Sequence, residues 1–77
     1  MKTTFIATNG VEVEGVVLYT SSVFNFYTYQ VYDEIVYAQN RLIRLRHISK
    51  FDNKGNYIEL KPEIEIINSY VVIPELD

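Results

Sequence analysis

The sequence predicts an all-β fold: a small, strongly bent barrel of five to six strands with no substantial helix. Three observations carry this expectation. No segment keeps the 3.6-residue apolar period of a helix. Short runs of β-branched and aromatic residues are instead separated by Gly, Asn, Asp and Ser at short spacing, which is the pattern of a small sandwich or barrel. Residues 23–37, VFNFYTYQVYDEIVY, hold six of the eleven aromatics, and such side chains fit a pleated, half-buried surface. Barrel closure would also remove the exposed edges of a small open sheet.

The chain of 77 residues forms one domain over 1–77. Below about 70–80 residues one core rarely supplies more than about 3–5 kcal/mol, so small folds usually add a staple. No cysteine is present for a disulfide, and no His, Asp and Glu cluster has metal-ligand spacing. Association with further copies remains, so a homo-oligomer is expected, with no cofactor. The net charge of −3 excludes a generally basic nucleic-acid coat and is too small for a nucleic-acid mimic. Five of the seven basic residues lie between Arg41 and Lys54, while the tail is acidic, so one face is expected to be locally positive. No run of about 18 apolar residues exists to span a membrane. The first ten residues lack the apolar centre of a leader, and the expected compartment is the cytoplasm.

Taken in order, Phe5 to Thr8 reads as a first strand. Asn9-Gly10 follows as a type I′ hairpin signal, in which both central residues need positive φ. In VEVEGVVLYT, Val11 and Val13 share a face, Gly15 marks a bulge or bend, and Val16 to Leu18 read as buried on both sides. Thr20 to Ser22 turn. The aromatic stretch reads as the next strand, with Phe24 and Phe26 inward and with Asp33-Glu34 as a turn or a bulge. Gln39-Asn40 is a weak turn signal. RLIRLRHI then places Ile43 and Leu45 on one face and Arg44 and Arg46 on the other. Residues 52–56 form a polar loop, and Tyr57 to Lys61 is a strand stopped by Pro62. EIEII alternates again, and Tyr70 to Ile73 is a last strand.

Gly10, Gly15 and Asn25 in NGVEVEGVVLYTSSVFN, with Ile43-Arg44 leading to Ile48-Ser49-x-Phe51, resemble the two motifs of Sm-like proteins, the family that includes bacterial Hfq. The resemblance covers roughly residues 5–51, leaving 57–77 as additional C-terminal strands. Leu45 stands where the family has a Gly, and Ser21 where it has an Asp. The resemblance implies a bent five-stranded barrel, Sm-like or SH3-like, assembled edge to edge into a ring that binds RNA near its pore or on one face.

The function expected from this resemblance is non-enzymatic binding of single-stranded RNA or a nucleotide ligand. Asn25, Arg44, Arg46 and His47 would contact bases and phosphates. The competing reading for Arg44 and Arg46 is cross-strand pairing with Glu63 and Glu65, which have the same period-two spacing. A lone His without a nucleophile or paired carboxylate is more often structural than catalytic. Tyr27, Tyr29, Tyr32 and Tyr37 suit a subunit or partner interface better than base stacking. With no nucleophile elbow, phosphate loop or metal signature, no enzyme is expected. The alternative is a small phage or mobile-element accessory protein. It would inhibit a host protein, or sequester a cyclic nucleotide, through its Tyr-rich surface.

Overall fold

The computed structural model describes residues 1–21, 24–26 and 29–76, with the backbone alone at Phe24, Asn25 and Phe26. Seven strands form one antiparallel sheet: β1 (Lys2–Ile6), β2 (Glu12–Thr20), β3 (Phe24–Phe26), β4 (Tyr29–Ala38), β5 (Arg41–Phe51), β6 (Tyr57–Glu59) and β7 (Glu63–Asn68). The expected all-β class holds, and the sheet curls into a half-barrel. Among the described residues the only helical element is a 3₁₀ turn, Pro74–Leu76, and no helix is long and apolar enough to cross a membrane.

The seven strands lie in five rows. β2 and β3 follow one another along β4, whose Glu34–Tyr37 and Tyr29–Val31 portions they pair. β6 and β7 likewise share the far side of β5, β6 at Ser49–Phe51 and β7 at Leu42–Arg46. Pro62, which has no N–H to give the ladder, sits between β6 and β7. The long pair β4·β5 is the spine, in unbroken register from Tyr29↔Lys50 to Ala38↔Arg41.

The turns explain this order. Gln39 and Asn40 both have positive φ, 53° and 58°, and close a two-residue loop between Ala38 and Arg41. Primed turns of this kind match the right-handed twist of the strands they join. Asn9-Gly10 differs from expectation, because only Gly10 has positive φ. The Gly10 N–H donates to the Ala7 carbonyl and the Asn9 side chain accepts from Val11 N–H, a three-residue loop with its left-handed residue at the end. Between β5 and β6, the Asp52 carboxylate accepts the backbone N–H groups of Lys54 and Asn56 at 2.8 Å each, which holds its pKa below the usual value.

Several expectations are corrected. The aromatic stretch is not one strand, because Phe26 pairs antiparallel with Tyr29, so the chain has reversed between them. Tyr27 lies outside the described residues, as do the side chains of Asn25, Phe24 and Phe26. Asp33 and Glu34 are neither turn nor bulge but ordinary ladder positions opposite Arg46 and Leu45. The register shift in β2 falls between Val17 and Tyr19, not at Gly15, and Leu18 is 43% exposed. Gly15 answers a different need: a Cβ there would run into Val36 Cγ1. Residues 70–73 form no strand, although Val71 N–H donates to the Asn40 carbonyl at 2.6 Å.

Alternation decides the core. Val36 and Ala38 of β4 share the inner face with Ile43 and Leu45 of β5, and Phe5, Val13, Val17 and Ile64 pack on them. Val36 and Leu45 are the largest fully buried side chains.

Candidate functional site

The same alternation carries the inner face past the core. Gln30, Tyr32 and Glu34 continue the Val36 side of β4, and His47 and Ser49 continue the Leu45 side of β5. Tyr57, Glu59, Leu60 and Pro62 join them from the β6 side, and together these residues line a cavity of about 400 Å³. Glu34 is 7% exposed, and its Oε1 lies 2.6 Å from His47 Nε2. The Tyr32 ring stacks on the His47 imidazole, with centroids 5.5 Å apart and planes at 30°. Ser49, the other buried polar residue, stands in register between Gln30 and Glu59.

The outer face carries the arginines. Arg44 Nη2 donates to Glu65 Oε2 at 2.9 Å, the cross-strand pairing that their period-two spacing suggested. Arg46 turns the other way. Its Nε and Nη2 donate to Asp33 Oδ1 and Oδ2 at 2.9 and 3.0 Å, a planar two-bond fork onto the residue opposite it on β4. This fork holds the Asp33 carboxyl below its usual pKa and raises that of Arg46. Arg44 and Arg46 thus sit on one face of β5 and His47 on the other, so the four expected nucleic-acid contacts do not form one site. Of these, Asn25 is placed only by its backbone, opposite Gln30.

The tyrosines divide in the same way. Tyr29 is 42% exposed on the outer face, with Lys50 Nζ 5.9 Å from its ring centroid. Tyr32 lines the inner cavity. Tyr37 is 4% exposed: its hydroxyl donates to the Val71 carbonyl at 2.9 Å and accepts from Asn40 Nδ2 at 3.1 Å. It fastens the C-terminal segment of its own chain and offers no surface to a partner.

No family model, curated protein or solved structure matches this chain.

The second site is the open side of the half-barrel. The sheet runs β1-β2-β4-β5 and ends on β6 and β7, so among the described residues the outer edges of β1 and of β7 have no partner strand. Thr4, Phe5 and Ile6 face Lys61, Pro62 and Ile64 across a mainly apolar gap of about 460 Å³. Ile6, Ile66, Ile67 and Val72 are all exposed nearby in sequence to these edges. Among the described residues no group of three or more His, Asp or Glu is placed to hold a metal ion.

The cavity and the gap are what sequence reasoning missed. Both depend on register, which places Glu34, His47 and Glu59 together from three strands. The signal was present only as parity: Gln30, Tyr32 and Glu34 alternate in step with Val36 and Ala38.

Proposed function

We propose that this chain is a non-enzymatic interaction module whose half-barrel is completed by a second copy of itself. The observation that carries this reading is the open sheet and the surface it leaves exposed. A folded chain of 9.0 kDa ordinarily exposes about 4,850 Å², whereas this one exposes 5729 Å². The excess, roughly 900 Å², is close to what one partner contributes to a standard interface. The radius of gyration agrees: it is 14.0 Å, against about 11.5 Å for a compact chain of this length. Unpaired edges flanked by exposed Ile and Val are suited to pairing with another strand. This reading rests on the open edges and not on the resemblance to Sm-like proteins.

The RNA reading is less well supported. Arg44 and Arg46 would have to release Glu65 and Asp33 before either could meet a phosphate, and Glu63 and Glu65 crowd the same outer groove.

Sedimentation equilibrium of the purified protein at 5–100 µM tests the proposal. A dimer or larger closed assembly is expected, and Ile6→Lys or Ile66→Lys is expected to shift it towards monomer while the far-ultraviolet spectrum stays β-like. A parent protein that is monomeric across this range overturns the reading. Association with a different protein in place of self-association would favour the accessory-inhibitor alternative.

A further inference from the structure

We infer that the inner-face cavity is a binding site for a small organic cation bearing an ammonium or guanidinium group. His47 and Pro62 also border the gap between β1 and the β7 side, and the inference does not require a partner to close that gap.

Charge points to this ligand first. Two carboxylates, Glu34 and Glu59, line the cavity, and no Lys or Arg does. The Glu34 side chain is only 9% exposed, and among the described residues His47 is the only group that bonds it, at one of its two oxygens. A carboxylate withdrawn from water needs compensation by donors or opposite charge. The His47 imidazole, on a ring that is itself 36% exposed, meets one oxygen, and since among the described residues no enclosed side-chain oxygen lacks a partner, the other keeps contact with the open space of the cavity. An anion entering here would meet two carboxylates with only the His47 imidazole beside them, which disfavours phosphate.

The walls narrow the class further. Tyr32 and Tyr57 border the same space, and aromatic faces attract cations by about 0.5–2 kcal/mol depending on desolvation. Among the described residues no group of three or more His, Asp or Glu is placed to hold a metal ion, and the aromatic borders suit an organic cation. A volume of about 400 Å³ lies within the range of small-molecule sites. Gln30 and Ser49 add polar groups that can orient N–H donors. Such a cation could be free in solution or borne on a side chain of another polypeptide, and the two sources share this chemistry.

The test is a two-dimensional amide NMR titration with three probes: N-acetylarginine methylamide as the side-chain mimic, choline as the free cation, and adenosine monophosphate as the anionic control. Saturable shifts are expected at Tyr32, His47, Ser49 and Tyr57 with at least one cation and not with the nucleotide. The tighter of the two cations identifies the source. Glu34→Gln is expected to weaken binding about tenfold, which corresponds to about 1.4 kcal/mol. Because Glu34 is buried, Glu59→Gln and Tyr57→Ala, both at exposed positions, provide an independent check and should each weaken binding at least threefold. Silence from both cations at 20 mM, equal shifts with the nucleotide, or unchanged affinity in the folded Glu59→Gln and Tyr57→Ala variants overturns the proposal.

Discussion

At the scale of single residues, Asp33 shows how one register pairing changes the reading of a charge. In the sequence it sits beside Glu34 and suggests a turn. On the sheet it stands opposite Arg46 and accepts two hydrogen bonds from the guanidinium. That fork lowers its pKa from the ordinary 3.8, with the nearby charges of Arg46 and Arg44 adding to the effect against desolvation. A carboxyl with a depressed folded-state pKa contributes stability that is present above the unfolded pKa and is lost as pH falls through the folded one. Urea unfolding between pH 2 and pH 7 should therefore show stability declining below about pH 4. Asp33→Asn should lower stability at pH 7 and flatten this acid limb. An acid limb of unchanged steepness in the variant would show that other carboxyls carry it. Gly15 is a second case in which structure supplies the reason for a residue. The sequence marks it as a bend, but the requirement is the close approach of Val36, to which any Cβ would be an obstacle.

At the scale of elements, legibility followed alternation and failed at reversals. The RLIRLRHI segment was readable because Ile43 and Leu45 alternate with arginines, and β5 keeps that alternation inside and out. The interruption at Pro62 was readable because proline cannot serve a ladder. The reversal between Phe26 and Tyr29 was not readable, since residues on both sides of it are strand formers with no Gly or Pro between them. Residues 70–73 have strand composition, yet they enter no ladder, and their anchors are Tyr37 and Asn40. The β4–β5 turn offers a measurable consequence. Gln39 is exposed and holds a positive φ that costs an L-residue about 1–2 kcal/mol relative to the right-handed region. Gln39→Gly should remove most of that strain and raise stability by about 0.5–1 kcal/mol, read as a higher urea midpoint at constant slope. Asn40 should be left in place, because its Nδ2 donates to the Tyr37 hydroxyl.

At the scale of the whole molecule, the all-β class was legible from composition and turn spacing, whereas five to six strands were expected and seven are described, because β3 continues the row of β2 and β7 that of β6. The openness of the half-barrel and the inner cavity were not legible, because each is a property of how distant strands line up. The sequence-level argument for association was only that so short a chain lacks a staple. The proposed pairing of copies would fall at the edges of β1 and β7, which have no partner strand among the described residues.

The inner face of β4 and β5 has one more consequence. Half of it packs as core, and the other half, from Gln30 to Glu34 and from His47 to Ser49, lines water-accessible space. Side chains of that half are thus withheld from the core, and among the described residues seven apolar ones are buried, Val36 and Leu45 being the largest that are fully enclosed. If copies of the subunit pair as proposed, folding and assembly become a single equilibrium governed by mass action. Its melting temperature should then rise with protein concentration, by several degrees over a hundredfold range in calorimetry. A transition independent of concentration would mean that the isolated subunit stands by itself. In the coupled case a dilute chain, as when newly made, is largely unfolded until its own abundance reaches the threshold at which copies meet.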